Sequence, residues 1–306
     1  MDVKSLSAQG AGQTGTYNRK QTIIQMKKNL FAIAIAATIM FTANESFAQL
    51  KLPAASSAQT VTQGLGIENV TLNYSRPSMN GRKIFGDLVP YNEVWRTGAN
   101  TNTTLTFEGD VELNGHKLSA GTYALFTIPN KSEWTIIISK NTKQWGAYTY
   151  KEAEDALRFN VKPQALANPV ETFTVSFDNV TPTGAVLSLA WEKTSVKVDL
   201  KVNQQAKILT SIDEAMKGEK KPYFAAAQYY FSNNLDLNKA LNWFDEAAKA
   251  QPKAAHVLYW KAKAQLKAGD KKGAIETATK GLEVATADKN GEYIKLNTQV
   301  INAAKK

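Results

Sequence analysis

Val196-Lys197-Val198-Asp199-Leu200-Lys201-Val202-Asn203-Gln204 is where the chain changes character. Val196, Val198, Leu200 and Val202 alternate with Lys197, Asp199 and Lys201, the period of two that marks a half-buried strand. Past Asn203 the alternation stops, and Gln204 to Lys217 suits a helix that Gly218 ends. The switch predicts an antiparallel β-sandwich or barrel-like domain over 58–202, followed by an α-helical domain over 203–306.

Upstream, Val70, Leu72 and Tyr74 alternate with Thr71, Asn73 and Ser75. Further short strands are expected at Leu105–Phe107, Val111–Leu113, His116–Leu118, Thr122–Ile128 and Trp134–Ser139. Others follow at Leu157–Val161, Phe173–Phe177, Ala185–Trp191 and Val196–Val202. Asn114-Gly115 is a type I′ hairpin signal between two of them. Many short strands broken by Gly, Pro and Asn favour an antiparallel β architecture.

Downstream, a repeat begins near Lys221. Phe224, Ala227 and Phe231 fall on one helix, and Ala240, Phe244, Ala247 and Pro252 follow in a small–aromatic–small–proline order. One 34-residue period later, Leu258, Ala274, Ala278 and Gly281 take the places of Phe224, Ala240, Phe244 and Ala247, the pattern of a degenerate tetratricopeptide unit. Small residues recur because paired helices approach closely. Asp288 to Ala304 reads as a capping helix.

Between the strand ending near Ser75 and the one at Leu105 lies Arg76 to Thr106, whose middle has neither helical nor strand period. It carries Arg76, Arg82 and Arg96, Asp87 and Glu93, Tyr91, Trp95, Asn100 and Asn102. A long polar loop with embedded aromatics in a compact domain marks a functional site more often than a plain connector. Arg96 can offer a planar donor fork to a carboxylate or phosphate. Tyr91, Trp95, Trp134, Trp145, Tyr148 and Tyr150 offer flat faces with polar edges, suited to sugar rings or peptide side chains. The candidate ligand-binding set is Arg76, Arg82, Tyr91, Trp95, Arg96, Asn100 and Trp145.

For catalysis the loop offers one carboxylate pair, Asp87 and Glu93, with Glu152 and Asp155 as possible additions. Glycoside hydrolysis needs two carboxyls about 5–9.5 Å apart. Only two histidines occur in 306 residues. His116 follows the Asn-Gly turn and His256 lies on a repeat helix. There is no His-x-His, HExxH or acidic calcium loop, so no metal is expected. G-x-S-x-G, Walker and G-x-G-x-x-G sequences are absent too, and no cofactor is expected.

Composition is that of globular protein, 43% hydrophobic and 21% charged. The formal charge is +10, and removing residues 1–48, which hold five Lys/Arg and two Asp/Glu, leaves +7. Many lysines lie on helical faces of the last third without interleaved aromatics, which argues against nucleic acid as partner. The chain has no cysteine. That excludes a lipid-anchored lipoprotein, thiol chemistry and disulfide stapling.

Met26-Lys27-Lys28 opens a charged n-region, Leu30 to Ala43 is an apolar run too short for a comfortable membrane span, and Ser46-Phe47-Ala48 places small residues before Gln49. This predicts a signal peptide over 26–48, a short linker over 49–57, and a periplasmic or secreted product with no stable membrane span after cleavage. Residues 1–25 lack a packing pattern and read as an upstream extension.

Arg76-Pro77, Gly81-Arg82-Lys83-Ile84-Phe85-Gly86 and Val89-Pro90-Tyr91-Asn92-Glu93-Val94-Trp95-Arg96-Thr97-Gly98-Ala99-Asn100 form one block of a longer signature. It continues through Ala120-Gly121-Thr122-Tyr123-Ala124-Leu125-Phe126-Thr127-Ile128-Pro129, Trp134, Gln144-Trp145-Gly146 and Tyr150. Over roughly Gln59 to Val202 the chain resembles the family of domain of unknown function 2911. The family pattern often has an acidic residue after Gly-Ala-Asn, where this chain has Thr101. The resemblance implies an exported domain with a shared loop site and brings no established activity. Two readings stand. In one, the β domain holds a small-molecule, glycan or peptide ligand while the helices dock a protein partner. In the other, an envelope hydrolase uses Asp87 and Glu93.

Overall fold

The computed structural model describes Gln25, Met26, Lys28 and residues 52–306. Apart from those three residues, the expected extension over 1–25 and signal peptide over 26–48 lie outside the described part.

Ten strands build the first half: β1 (Ser57–Leu65), β2 (Glu68–Arg76), β3 (Thr103–Phe107), β4 (Val111–Leu113), β5 (His116–Leu118), β6 (Gly121–Ile128), β7 (Trp134–Ser139), β8 (Asp155–Val161), β9 (Gln164–Thr181) and β10 (Gly184–Lys201). They form two antiparallel sheets, ordered β1-β2-β3-β6-β7-β8 and β5-β4-β10-β9. Alternate residues of both sheets share one apolar core. Leu72, Leu105 and Ile136 from the larger sheet meet Leu187, Val196 and Val198 from the smaller. Asn114 and Gly115 both hold left-handed φ, and Leu113 pairs with His116, so the expected hairpin forms.

Two elements differ from the expectation. No strand is expected over β1, because only Val61 and Leu65 of its nine residues are large and apolar; it is an edge strand whose Ser57, Thr60 and Thr62 face solvent while Gln59 and Gln63 share the half-buried face with Val61. The strands expected at Ala185–Trp191 and Val196–Val202 are one continuous β10. The polar Glu192-Lys193-Thr194 between them stays in the strand, with Glu192 at φ 53° and register shifts on both sides whose extra residues, 171–173 and 166–169, lie on β9.

β6 and β7 read as unbroken apolar runs because both of their faces are covered. Ala124, Phe126 and Ile137 point away from the main core and form a second, small cluster, on which Val94, Ala147 and Tyr150 pack. The segment 141–150 is thus a flap over the outer face of the larger sheet.

Six helices follow among the described residues: α1 (Gln205–Ala215), α2 (Tyr223–Ser232), α3 (Leu237–Ala250), α4 (Ala255–Lys267), α5 (Lys271–Ala287) and α6 (Gly291–Ala304). From α2 onward each packs on the next. Asp236, Asp270 and Asn290 cap α3, α5 and α6 through their side chains. The small residues Ala227, Ala240, Ala274 and Ala278 are fully buried where the helices meet. No helix among the described residues is long and apolar enough to cross a membrane.

The helices start on the β domain. Gln204, only 8% exposed, accepts from Ile67 N–H at 2.8 Å and donates to Glu68 Oε2 at 2.7 Å. Lys207 of α1 pairs with the same carboxylate. The β1–β2 turn is therefore clasped by the residue that opens α1.

Candidate functional site

An irregular loop inside a compact domain must satisfy its own backbone groups. That between β2 and β3 does so by short ladders to its neighbours. Met79 N–H donates to Glu171 O, Asn92 N–H to Pro129 O, and Trp95 exchanges two hydrogen bonds with Thr127, at 2.8 and 2.9 Å. Trp95 extends the sheet beside β6, which sends its indole inward and Arg96 to the opposite, flap-covered face.

Several candidate residues are taken up by the fold. Arg76 donates to Phe173 O at 3.2 Å and Thr174 Oγ1 at 2.8 Å, joining β2 to β9 across the two sheets. Arg82 donates to the Met79 and Ser78 carbonyls at 2.9 and 2.7 Å and closes its own turn. Asn100, at φ 58°, gives its amide to Ser56 O and Ser75 Oγ. Trp95 belongs to the core, packed with Phe85, Trp134, Phe173 and Trp191. Asp87 and Glu93 are solvent-exposed. Asp87 sits in the tight turn that Gly86 and Val89 close, and Glu93 lies beyond Asn92. Tyr91 lines a separate cleft with Lys131 and Lys193.

Arg96 lies against the flap at Gly146, the residue after Trp145. A β-carbon built on Gly146 would lie 3.5 Å from Arg96 Nη1 and 2.7 Å from the Tyr148 ring, so guanidinium, glycine and phenol share one place. Trp145 is 63% exposed and Tyr148 85%. Among the described residues Arg96 Nε is buried without a hydrogen-bond partner, and none of their ion pairs includes Arg96.

The backbone on both sides is held firmly. Thr97, next to Arg96, is β-branched yet has φ 54°. Such a conformation persists only where the surroundings impose it. Here Thr97 is fully buried, its hydroxyl bonds Thr127 Oγ1 at 3.1 Å, and its carbonyl accepts from Thr103 Oγ1 at 2.5 Å. At Gly98, φ 148°, a β-carbon would meet Ser75 O at 3.0 Å, so only glycine fits. On the flap side Thr101 bridges Trp145, and the Asn102 amide nitrogen, turned toward the two carbonyls, donates to Gln144 O and Gly146 O at 3.0 Å each.

The far end of the flap rests on a charged cluster. Tyr150 OH donates to Asp155 Oδ2 at 2.7 Å and accepts from Arg158 at 2.9 Å. Arg158 also pairs with Glu152 at 2.9 Å. The Asp155 side chain is 10% exposed and its Oδ1 has no partner. Burial pushes the Asp155 carboxyl up from its ordinary range; the Tyr150 hydrogen bond and the Arg158 charge oppose this, and Glu152 and Glu154 add to it. Burial, with the Asp155 hydrogen bond and charge, likewise raises the Tyr150 phenol.

Sequence reasoning singled out Arg96 and Trp145 but not Thr97, Asn102 or Arg158 as their support. Tyr148 carried a signal, an aromatic three residues beyond Trp145 in a polar connector. Arg158 carried none, since its place opposite Ile137 follows from strand register alone.

No curated protein and no solved structure matches the chain. Residues 56–200 match a family model described as "Protein of unknown function (DUF2911)". The β domain, with its loop, its flap and the Arg96 site, is the part so matched.

Proposed function

We propose that the chain is an exported binding protein whose β domain holds an acidic ligand at Arg96 and whose helical tail, tetratricopeptide-like in its repeat, docks a protein partner. The observation that carries the reading is the guanidinium of Arg96, without an ion pair and with an unsatisfied Nε among the described residues, against a flap that carries the exposed Trp145 and Tyr148. A carboxylate or phosphate would take two parallel donors from the Nη groups of the fork, which are in no ion pair among the described residues. Trp145 and Tyr148 supply faces for the remainder of a small-molecule, glycan or peptide ligand. Met26 to Ala48 supports export, with the mature chain beginning at Gln49.

A thermal-shift screen of envelope glycans, peptides and anionic metabolites against the mature protein tests this reading. Arg96→Ala should weaken any hit by roughly ten- to a hundred-fold, the worth of a charged hydrogen bond, without lowering the melting temperature of the free protein. Asp87→Asn/Glu93→Gln should bind as before. Loss of fold in Arg96→Ala with unchanged affinity per folded molecule would make Arg96 structural. A hydrolysis product that disappears in the carboxylate double variant would establish the enzyme instead.

A further inference from the structure

A cleft of about 280 Å³ opens at one end of the sandwich, away from Arg96. Its floor is aromatic: Phe85 and Trp134 are 4% and 3% exposed, and the Tyr91 ring stands half-buried above them. Its rim is polar and cationic. Asn130 and Lys131 come from the β6–β7 turn, Gln164 from the start of β9, and Lys193 and Thr194 from β10 beside Glu192.

Lys193 lies on the rim where β10 and β9 fall out of register, the extra residues being on β9. Glu192 pairs with Val170 and Thr194 with Ala165, so Lys193 alone stands opposite residues 166–169 of β9. Glu192 adopts φ 53°, a conformation non-glycine side chains rarely take, and its carboxylate accepts from Phe85 N–H at 3.4 Å. Bulges and strained residues of this kind re-aim side chains beside binding sites. Neither carboxylate nearest in sequence neutralises the lysines. Glu192 is turned to Phe85, and Glu133 accepts from Asn160 at 2.9 Å. No ion pair among the described residues includes Lys131 or Lys193. The Lys131 ammonium lies 6.0 Å from the Tyr91 ring centroid, so charge and aromatic face converge on one space.

From this we infer that the cleft is a second binding site, for a single-ring anionic sugar. The volume sits at the small end of ligand cavities and admits one ring. Two lysines in the lining, neither in an ion pair among the described residues, call for a carboxylate or phosphate. Two amides and a hydroxyl outnumber the one accessible ring face, which suits a hydroxylated ring better than an apolar one. A uronic acid and a sugar phosphate share this chemistry.

Titration calorimetry of the full chain with glucuronate, glucose 6-phosphate, glucose and inorganic phosphate tests the inference. At least one anionic sugar should bind with Kd of about 1 mM or tighter, and whichever does identifies the acid group. Glucose and inorganic phosphate should each bind at least about tenfold more weakly. Lys131→Ala/Lys193→Ala should weaken the sugar by about tenfold or more, and Lys131→Arg/Lys193→Arg should retain it. Arg96→Ala should leave it unchanged, which separates this site from the one proposed above. Binding of glucose or inorganic phosphate as tight as the anionic sugar, undiminished binding by a folded double-alanine variant, or no binding of either sugar acid at about 10 mM would each overturn it.

Discussion

The Trp95 indole lies nearly parallel to that of Trp191, 19° between planes and 5.9 Å between centroids. A loop residue and a residue of β10 thus form one unit, bordered by Phe85, Trp134 and Phe173. The loop is a wall of the core, and its shape is fixed by the same packing that joins the sheets.

Trp95→Ala should therefore destabilise the β domain by about 2–4 kcal/mol, less than the ~3–5 kcal/mol of a fully buried large aromatic because the ring is only partly buried. Urea denaturation followed by far-UV circular dichroism measures it. A loss under about 1 kcal/mol would show that the ring is dispensable for packing.

Asn102 is 5% exposed and its amide holds both Gln144 and Gly146 by their carbonyls. Asn102→Ala should cost about 1–3 kcal/mol, as for carbonyls left without donors in a buried place. The loss should be local, with faster amide exchange across 141–150 and unchanged exchange in β3 and β6. Uniformly faster exchange would show the flap and sheet to open as one unit.

The charged cluster under the flap sets a pH dependence. Because burial raises the folded-state pKa of Asp155 above its ordinary 3.8, the folded protein takes up this proton more readily than the unfolded chain. Stability from this carboxyl is fully present below 3.8 and is lost as pH rises through the raised value. Asp155→Asn removes that slope. Comparing urea midpoints of the two proteins from neutral pH downward, the wild type should gain relative to the variant as pH falls. A relative loss would mean that the Arg158 charge outweighs burial.

In the helical tail Gly281 of α5 touches Asn297 of α6 so closely that a β-carbon would meet Asn297 Oδ1 at 2.4 Å. Asn297 is fully buried and bonded to Tyr293 O, so it has little room to move. Alanine gains about 1 kcal/mol in helix propensity, but overpacking costs about 1–3 kcal/mol. Gly281→Ala should lower the melting temperature, and Asn297→Ala in the same chain should recover part of the loss. A melting temperature raised by Gly281→Ala alone would show that the helices can separate.

How far this architecture was legible varies from element to element. The alternation ending at Val202 and the Asn114-Gly115 turn are local signals, and both carried through. β1 was missed because an exposed edge strand needs few apolar residues. The break expected between Trp191 and Val196 does not exist: a polar stretch inside an irregular strand and a connector share composition, and only pairing with β9 tells them apart. At the site, Arg76, Arg82 and Arg96 look alike in sequence. Arg76 reaches a carbonyl 97 residues away, Arg82 one three residues back, and Arg96 none among the described residues. That difference belongs to tertiary geometry and has no counterpart in residue type.

The clasp made by Gln204 has a mechanical consequence. A pull on the tail enters the β domain through β10 by the chain itself and through the β1–β2 turn by way of Ile67 and Glu68. β10 belongs to the smaller sheet and the β1–β2 turn to the larger. Tension applied to the helices is therefore divided between the two sheets, and the sandwich is loaded across its core without one strand being peeled from an edge.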